Sequence, residues 1–337
     1  MLPLKGYRAA SERVALSDQS ARLRLEVTGP ERAKFLHNLT TNEVKRLPAG
    51  RGCEAFVTSP QGKILALVKL LVCADSILVS TDPGGMSLAL PHFQKYGVFD
   101  EIGLEDRSET TFELHLAGPI GDELLRRCGG ATPEPEALAQ VATSLAESPV
   151  LVWRDAPTGR PGLTLIGPRA AAGKISGLLK ARGVDLGLEE LDPAAFEVLR
   201  IEAGMPVFGR DLTEKNLPQE SGRDDRAINF VKGCYLGQET VARIDALGHV
   251  NQLLKGLRGA PDDPVPPPGS PLEFDRKRVG LVTSSAFSPG WNAPIALGLI
   301  RTSHCAAGTR LVLRSGGDPG SEDFAVVGDL PMLPPAG

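Results

Sequence analysis

Leu23-Arg-Leu-Glu-Val-Thr28, followed at once by Gly29-Pro30 and then by the spaced apolar residues Phe35, Leu36 and Leu39, is the pattern that decides the fold class of this chain. Alternation at period two makes the first six residues a half-buried strand. The Gly-Pro pair then turns the chain into a helix, because Pro at the first helical turn lacks only an amide that has no helical partner there. The same unit returns twice. Phe112-Glu-Leu-His-Leu-Ala117 leads through Gly118-Pro119 to Leu124-Leu125, and Leu163-Thr-Leu-Ile166 leads through Gly167-Pro168 into a helical run to Arg182. A single Gly-Pro is ordinary turn chemistry; three strand–Gly-Pro–helix units make a repeated α+β plan.

Between the first two units, strands are expected at Cys53 to Thr58, Ile64 to Val72 and Ile77 to Thr81, with turns at Ser59-Pro-Gln-Gly-Lys63 and Asp75-Ser76 and a helix from Met86 to Tyr96. The stretch 129–148 is rich in Ala, Pro and Glu and reads as a linker or exposed helix between an N-terminal half, 1–128, and a second half, 149–250. Asp192-Pro193 starts a helix, with Asp192 as its N-cap. From Asn251 the texture changes: the proline-rich run 261–271 excludes helix and central strand, since each proline fixes φ and removes a donor. Short β-type runs follow at Arg278–Thr283, Ile295–Arg301, Thr309–Leu313 and Phe324–Val327. They predict a small C-terminal β-barrel or sandwich over 251–330, with 331–337 as a loose tail. Arg276-Lys277-Arg278 reads as a hairpin tip rather than an RNA site, because no aromatic accompanies it.

Composition bounds the function. The 337 residues suggest about two domains, with room for a third small one. Apolar residues make up 42% and charged residues 23%, an ordinary globular balance, and the net charge of −4 gives no field for nucleic acid or an anionic membrane. The N-terminus lacks a secretory apolar run, and Ile64 to Val79 carries Lys69 and Asp75 and is too short to span a bilayer. Five widely spaced cysteines without Cys-x-x-Cys fit reduced thiols in a cytoplasm. The histidines show no metal-ligand spacing, so no metal site is expected.

The densest polar segment runs from Arg200 to Ile244, and within it Lys232-Gly-Cys-Tyr-Leu-Gly-Gln-Glu239 puts a thiol in a glycine-flanked loop. A helix starting near Gly237, together with Lys232, would favour thiolate over thiol at Cys234. The alternative is that Cys234 is a small buried apolar residue that closes the loop.

The run resembles the Lys-Gly-Cys-(Tyr/Phe)-x-Gly-Gln-Glu signature of the YgfZ family, folate-binding proteins implicated in iron–sulfur enzyme maturation and related to the glycine-cleavage T-protein, an aminomethyltransferase. Phe35-Leu-His-Asn-Leu-Thr-Thr-Asn-Glu-Val44, Ser59-Pro-Gln-Gly-Lys-Ile64, Lys95-Tyr-Gly-Val-Phe99, the run Leu199 to Gly209 and Pro218-Gln-Glu220 extend the likeness. The resemblance implies an α+β body around a central folate-sized cavity, tetrahydrofolate or another folate as cofactor, and iron–sulfur client or assembly proteins as partners, tRNA-modifying enzymes among the clients. It implies Cys234 as the functional thiol beside Lys232, with Gly233, Tyr235, Gly237, Gln238 and Glu239 completing the motif.

The chain departs from the transferase where that enzyme keeps its acids. The T-protein hairpin reads Gly-Gly-x-Leu-Asp-Asp; here the stretch is Gly62-Lys-Ile-Leu-Ala-Leu67, without the carboxylate that would manage proton transfer at the folate nitrogen. The T-protein run Thr-Gly-Glu-Asp-Gly-Phe-Glu corresponds to Thr158-Gly-Arg-Pro-Gly-Leu-Thr164, so Arg160 and Thr164 replace both glutamates. Aminomethyl transfer is therefore not expected, although a tetrahydrofolate-dependent one-carbon transferase remains the alternative function. For the folate, Glu220 is a pterin-edge acceptor or a solvated loop acid. Arg243 meets a tail carboxylate or is a surface residue. Asn42 and Gln61 are pocket amides or turn formers.

Overall fold

The structure is a computed structural model that describes residues 4–313 and 323–335. The chain divides into two compact units. The first comprises 1–156, 160–195 and 225–238; the second comprises 157–159, 196–224 and 239–337.

The first unit holds two sheets. One has five strands in the spatial order Arg51–Thr58, Ile64–Val72, Ser76–Thr81, Leu23–Thr28 and Gly103–Asp106. The other has six: Leu188–Glu190, Val14–Asp18, Thr111–Ala117, Gly162–Pro168, Ser148–Arg154 and Gln140–Leu145. All pairings are antiparallel except Val14–Asp18 with Leu188–Glu190.

The three Gly-Pro units fold as expected, with one difference. Leu23–Thr28 feeds the helix Arg32–Leu39, and Thr111–Ala117 feeds Gly121–Arg127. At both joints the glycine is left-handed (Gly29 φ 95°, Gly118 φ 121°), and a Cβ there would strike a backbone carbonyl, Glu101 O or Arg13 O. Gly167 instead stays in its strand, paired with Phe112, before a short 3-10 turn leads into Ala172–Gly183.

Burial follows strand parity. On Ile64–Val72, Ala66, Val68, Leu70 and Val72 face a core with Phe35, Leu36 and Phe93 from the helices. Leu71, on the opposite face, joins Leu78, Leu138, Trp153 and Ile166 in a cluster between the sheets.

In the second unit, Gln252–Arg258, Ala293–Arg301, Lys277–Ser288, Pro271–Phe274, Arg310–Leu313 and Asp323–Gly328 close in that order into a six-stranded barrel. Asp275 and Arg276 (φ 50° and 61°) form the two-residue tip that reverses the chain into Lys277, the hairpin expected there.

Two expectations are corrected. The stretch 129–148 is neither linker nor helix throughout, because Gln140–Leu145 pairs with Ser148–Arg154 and Gln140 N donates to Gly50 O at 2.9 Å. The segment from 331 is not loose where it is described: Met332 N donates to Glu202 O at 2.8 Å, and Met332 O accepts from the Trp291 indole at 2.9 Å. Residues 336–337 of the expected tail lie outside the described residues.

Candidate functional site: the Lys-Gly-Cys loop and its surroundings

The loop 229–237 is fastened to the first unit by backbone bonds. Asn229 N donates to Thr41 O and Leu236 N to Asn38 O, both at 2.9 Å, while the Thr58 hydroxyl donates to Leu236 O at 2.6 Å. Gly237 needs its glycine: φ is 86°, and a Cβ would collide with Ser59 O. The helix Gln238–Leu247 starts where the sequence placed it. Its first side chain turns back, and Gln238 Oε1 accepts from Tyr235 N at 3.3 Å.

Lys232 is only 7% exposed. Its Nζ donates to His37 O and Thr40 O at 2.6 Å and to Asn42 O at 2.8 Å, closing the C-terminal end of the helix Arg32–Leu39. Burial brings its pKa down to about 8 against the pull of Glu43 and Cys53. The same ammonium lies 4.9 Å from the centre of the Tyr235 ring, whose hydroxyl is pushed up to about 12 by burial. All three ammonium protons are thus spent on carbonyls. The residue is a strut that holds the loop to the helix, a role that its distance of two residues from Cys234 did not suggest.

Cys234 is exposed, as a reactive thiol requires and a packing cysteine does not. It stands in a cleft of about 480 Å³ whose walls include Phe35, Asn38, Tyr96, Asp100 and Tyr235. The apolar pairs Val98–Phe99 and Phe230–Val231, close in sequence to the cleft residues, are exposed, with Phe99 at 98% and Val231 at 94%. The other described cysteines are at least partly sheltered. Cys53 is pushed up to about 12, chiefly by burial.

The candidate folate residues divide between the units. In the first, the Asn42 amide is committed to the backbone: Nδ2 donates to Glu54 O at 2.8 Å and Arg226 O at 2.9 Å, and Oδ1 accepts from Glu43 N. Gln61 is exposed on its turn. In the second, Glu220 is 6% exposed, and its Oε2 accepts from the Asn216 amide at 2.7 Å and the Gln252 amide at 3.0 Å. Buried and held by two amides, Glu220 is not a solvated loop acid. Arg243 and Glu239 are exposed on their helix, and Gly233 is exposed in the loop.

Sequence reading missed a buried polar group between the two sheets of the first unit. Lys69 Nζ binds Asp155 Oδ1 at 2.7 Å, the Thr164 hydroxyl donates to Asp155 Oδ2 at 3.3 Å, and His115 Nδ1 lies 2.9 Å from Thr164 Oγ1. Because the hydroxyl proton goes to Asp155, Nδ1 of His115 is the donor. Burial lowers His115 to about 4, so it is neutral at pH 7. Burial pushes Asp155 up, but Lys69, His115 and Arg22 outweigh it and hold the carboxyl below its usual range. Lys69 inside an otherwise apolar strand was the one available signal. Ala66 and Leu67, at the hairpin positions discussed above, are both buried.

Residues 4–232 match the GCVT N-terminal domain, and residues 254–322 match the glycine cleavage T-protein C-terminal barrel domain. The chain belongs to the glycine-cleavage T-protein (GCVT) family. Among its relatives are the putative transferase At1g60990, chloroplastic, of Arabidopsis thaliana, 28% identical over 95% of this chain and 71% of that protein. The aminomethyltransferase of Streptomyces avermitilis is 28% identical over 89% of this chain and 82% of the relative. The glycine cleavage system aminomethyltransferase T of Bartonella henselae superposes with a TM-score of 0.86 at 20% identity, covering 97% of this chain and 88% of that one. The T-protein-like fold with its C-terminal barrel is therefore established for this chain. Among the described residues, no helix is long and apolar enough to cross a membrane, and no group of three or more His, Cys, Asp or Glu could hold a metal ion.

Proposed function

We propose that this GCVT-family protein acts in the manner of the YgfZ proteins: it binds tetrahydrofolate or another folate and supports assembly or repair of iron–sulfur clusters in client enzymes, including tRNA-modifying ones. The observation that carries this reading is the Lys-Gly-Cys loop, a segment held by the Lys232 strut and the Gly237 turn that leaves Cys234 in the open beside a cleft. Exposed apolar side chains such as Phe99 and Val231 support a protein partner at this face. One thiol cannot complete a cluster site, so the remaining ligands belong to the client or assembly protein. The location is the cytoplasm, with no membrane or direct nucleic-acid partner.

Glu220 suits the folate. A buried carboxylate with one oxygen oriented by two amides matches the donor-rich edge of a pterin. Arg243, in the same unit, is proposed for the tail carboxylates; Asn42 and Gln61 belong to the first unit, and the Asn42 amide is already committed to backbone groups. Bound folate would offer its reduced ring as a one-carbon carrier. Catalysis by this chain would need an acid at the hairpin, where it has Ala66 and Leu67.

The second reading, a tetrahydrofolate-dependent aminomethyltransferase or related one-carbon transferase, is favoured by relatives that carry that name. Two assays separate them. In cells lacking the native protein, wild type should restore iron–sulfur enzyme activity and Cys234→Ser should not. Purified protein given tetrahydrofolate and an aminomethyl-loaded carrier should release no ammonia; robust turnover would replace the first reading with the second.

A further inference from the structure

Gln140–Leu145 is the last strand of the six-stranded sheet, and its partner Ser148–Arg154 fixes which of its backbone groups face outward. Opposed residues of an antiparallel pair alternate between exchanging both hydrogen bonds and exchanging none. Ser144 lies opposite Pro149, which has no N–H to give, and Gln140 N reaches away from the sheet to Gly50 O at 2.9 Å. Both facts put 140, 142 and 144 at the non-exchanging positions, so their N–H and C=O groups point outward. Ala142 and Ser144 are exposed, and no group among the described residues takes up their outward N–H and C=O. The other sheet edges of this unit are protected. Along Arg51–Thr58, Thr41 N donates to Phe56 O at 3.0 Å and the Asn42 amide to Glu54 O at 2.8 Å. Leu188–Glu190 carries two glutamates, and Gly103–Asp106 carries Glu105 and Asp106. Cover and charge are the usual defences of an edge, yet Gln-Val-Ala-Thr-Ser-Leu145 holds neither a charged residue nor a proline.

We infer that this edge pairs with the same edge of a second copy of the chain, antiparallel about a two-fold axis at Thr143. The occupant follows from the symmetry of the strand. Its open groups sit at 142 and 144, equally spaced about 143. Ala142 of one copy therefore meets Ser144 of the second copy, and the two exchange both hydrogen bonds; the pair related by the axis does the same. On the opposite face of the strand Thr143 meets Thr143, and Val141 meets Leu145, neutral pairs of the kind that hold neighbouring strands together. The Thr143 side chain is steadied for this, since its hydroxyl accepts from Ala131 N at 3.0 Å. No like charges are brought together at the seam, although each chain carries −4. The two six-stranded sheets then run on as one, and neither copy keeps an undefended edge at this strand.

The test is sedimentation equilibrium of the full chain between about 1 and 100 μM, where a self-associating protein changes mass with concentration. Wild type should show a monomer–dimer equilibrium in that range. Thr143→Lys sets two ammonium groups face to face at the axis and should raise the dimer dissociation constant at least about tenfold. Should Thr143→Lys fail to fold, cross-linking decides. Thr143 faces its own copy at a non-exchanging position, where Cα atoms stand about 4.5 Å apart, within the span of a disulfide. Thr143→Cys, made in Cys234→Ser to remove the exposed native thiol, should therefore give a covalent dimer on mild oxidation with diamide. Ser144→Cys in the same background should cross-link at least about tenfold more slowly, because its neighbour across the seam is Ala142 rather than a second cysteine. A wild type that stays monomeric at the highest concentration would overturn the inference. So would a dimer that leaves Thr143→Cys unlinked, since it would use another face. Neither folate binding nor rescue in cells enters these measurements, so their failure and that of the functional proposal are separately visible.

Discussion

Replacing Lys232 by Met keeps the length of the side chain and removes the ammonium that three carbonyls share. Each buried carbonyl left without a partner costs about 1–3 kcal/mol, so His37 O, Thr40 O and Asn42 O together lose about 6 kcal/mol. Against this stands the cost of burying the charge. The fall of the lysine pKa from 10.5 to about 8 measures that cost at about 3 kcal/mol. The difference leaves Lys232→Met destabilised by about 3 kcal/mol, a loss of about 6–12 °C in Tm at roughly 2–4 °C per kcal/mol. Urea unfolding at pH 7 reads it directly, with the midpoint falling and the slope unchanged. Lys232→Arg should not rescue, because a planar fork cannot point three donors at three converging carbonyls. A loss below about 1 kcal/mol would refute the strut and return the ammonium to a role at the thiol.

Three further outcomes follow from the same geometry. Gly237→Ala forces a Cβ into Ser59 O at a left-handed φ and should cost at least about 2 kcal/mol, read by thermal unfolding; a neutral result would mean the loop is not held against the 59–62 turn. His115 titrates at about 4 when folded and near 6.5 when unfolded, so the unfolded chain binds the extra proton between those values. Its contribution is complete above pH 6.5 and is lost as pH falls toward 4, about 3 kcal/mol in all. His115→Gln should flatten that part of the stability–pH curve, and an equally steep curve would contradict the assignment. In wild type, Cys234 should be alkylated at least about tenfold faster than Cys53, whose thiol burial pushes up to about 12; equal rates would place Cys234 under cover in solution.

Local pattern was enough for the elements, because what defines them is short-range. The parity of Leu23–Thr28 and Phe112–Ala117 tells which side chains face inward, and the glycines at 29 and 118 mark joints where only a residue without Cβ passes a neighbouring carbonyl. The barrel was legible for the same reason, as short strands separated by turns. The stretch 129–148 misled because Gln140–Leu145 is a strand at the edge of its sheet, with a mixed burial pattern and composition that resemble a linker's.

Side-chain partnerships across the chain could not be read that way. The eight residues from Lys232 to Glu239 drew attention to a thiol and a neighbouring charge, yet two residues' separation says nothing about where a long side chain ends. Its direction is set by the helix end at 37–42, which only folding brings beside it. His37 and Glu43 meet because the chain turns after Leu39, and Lys69 finds Asp155 because two sheets stack. Sequence by itself determined most of the strands, two of the three joints, the barrel and the loop motif, all written in spacings of a few residues. Tertiary structure alone decided which charges are struts, whether Cys234 stands in the open and how Glu220 is held, because each depends on burial and on partners brought together by folding.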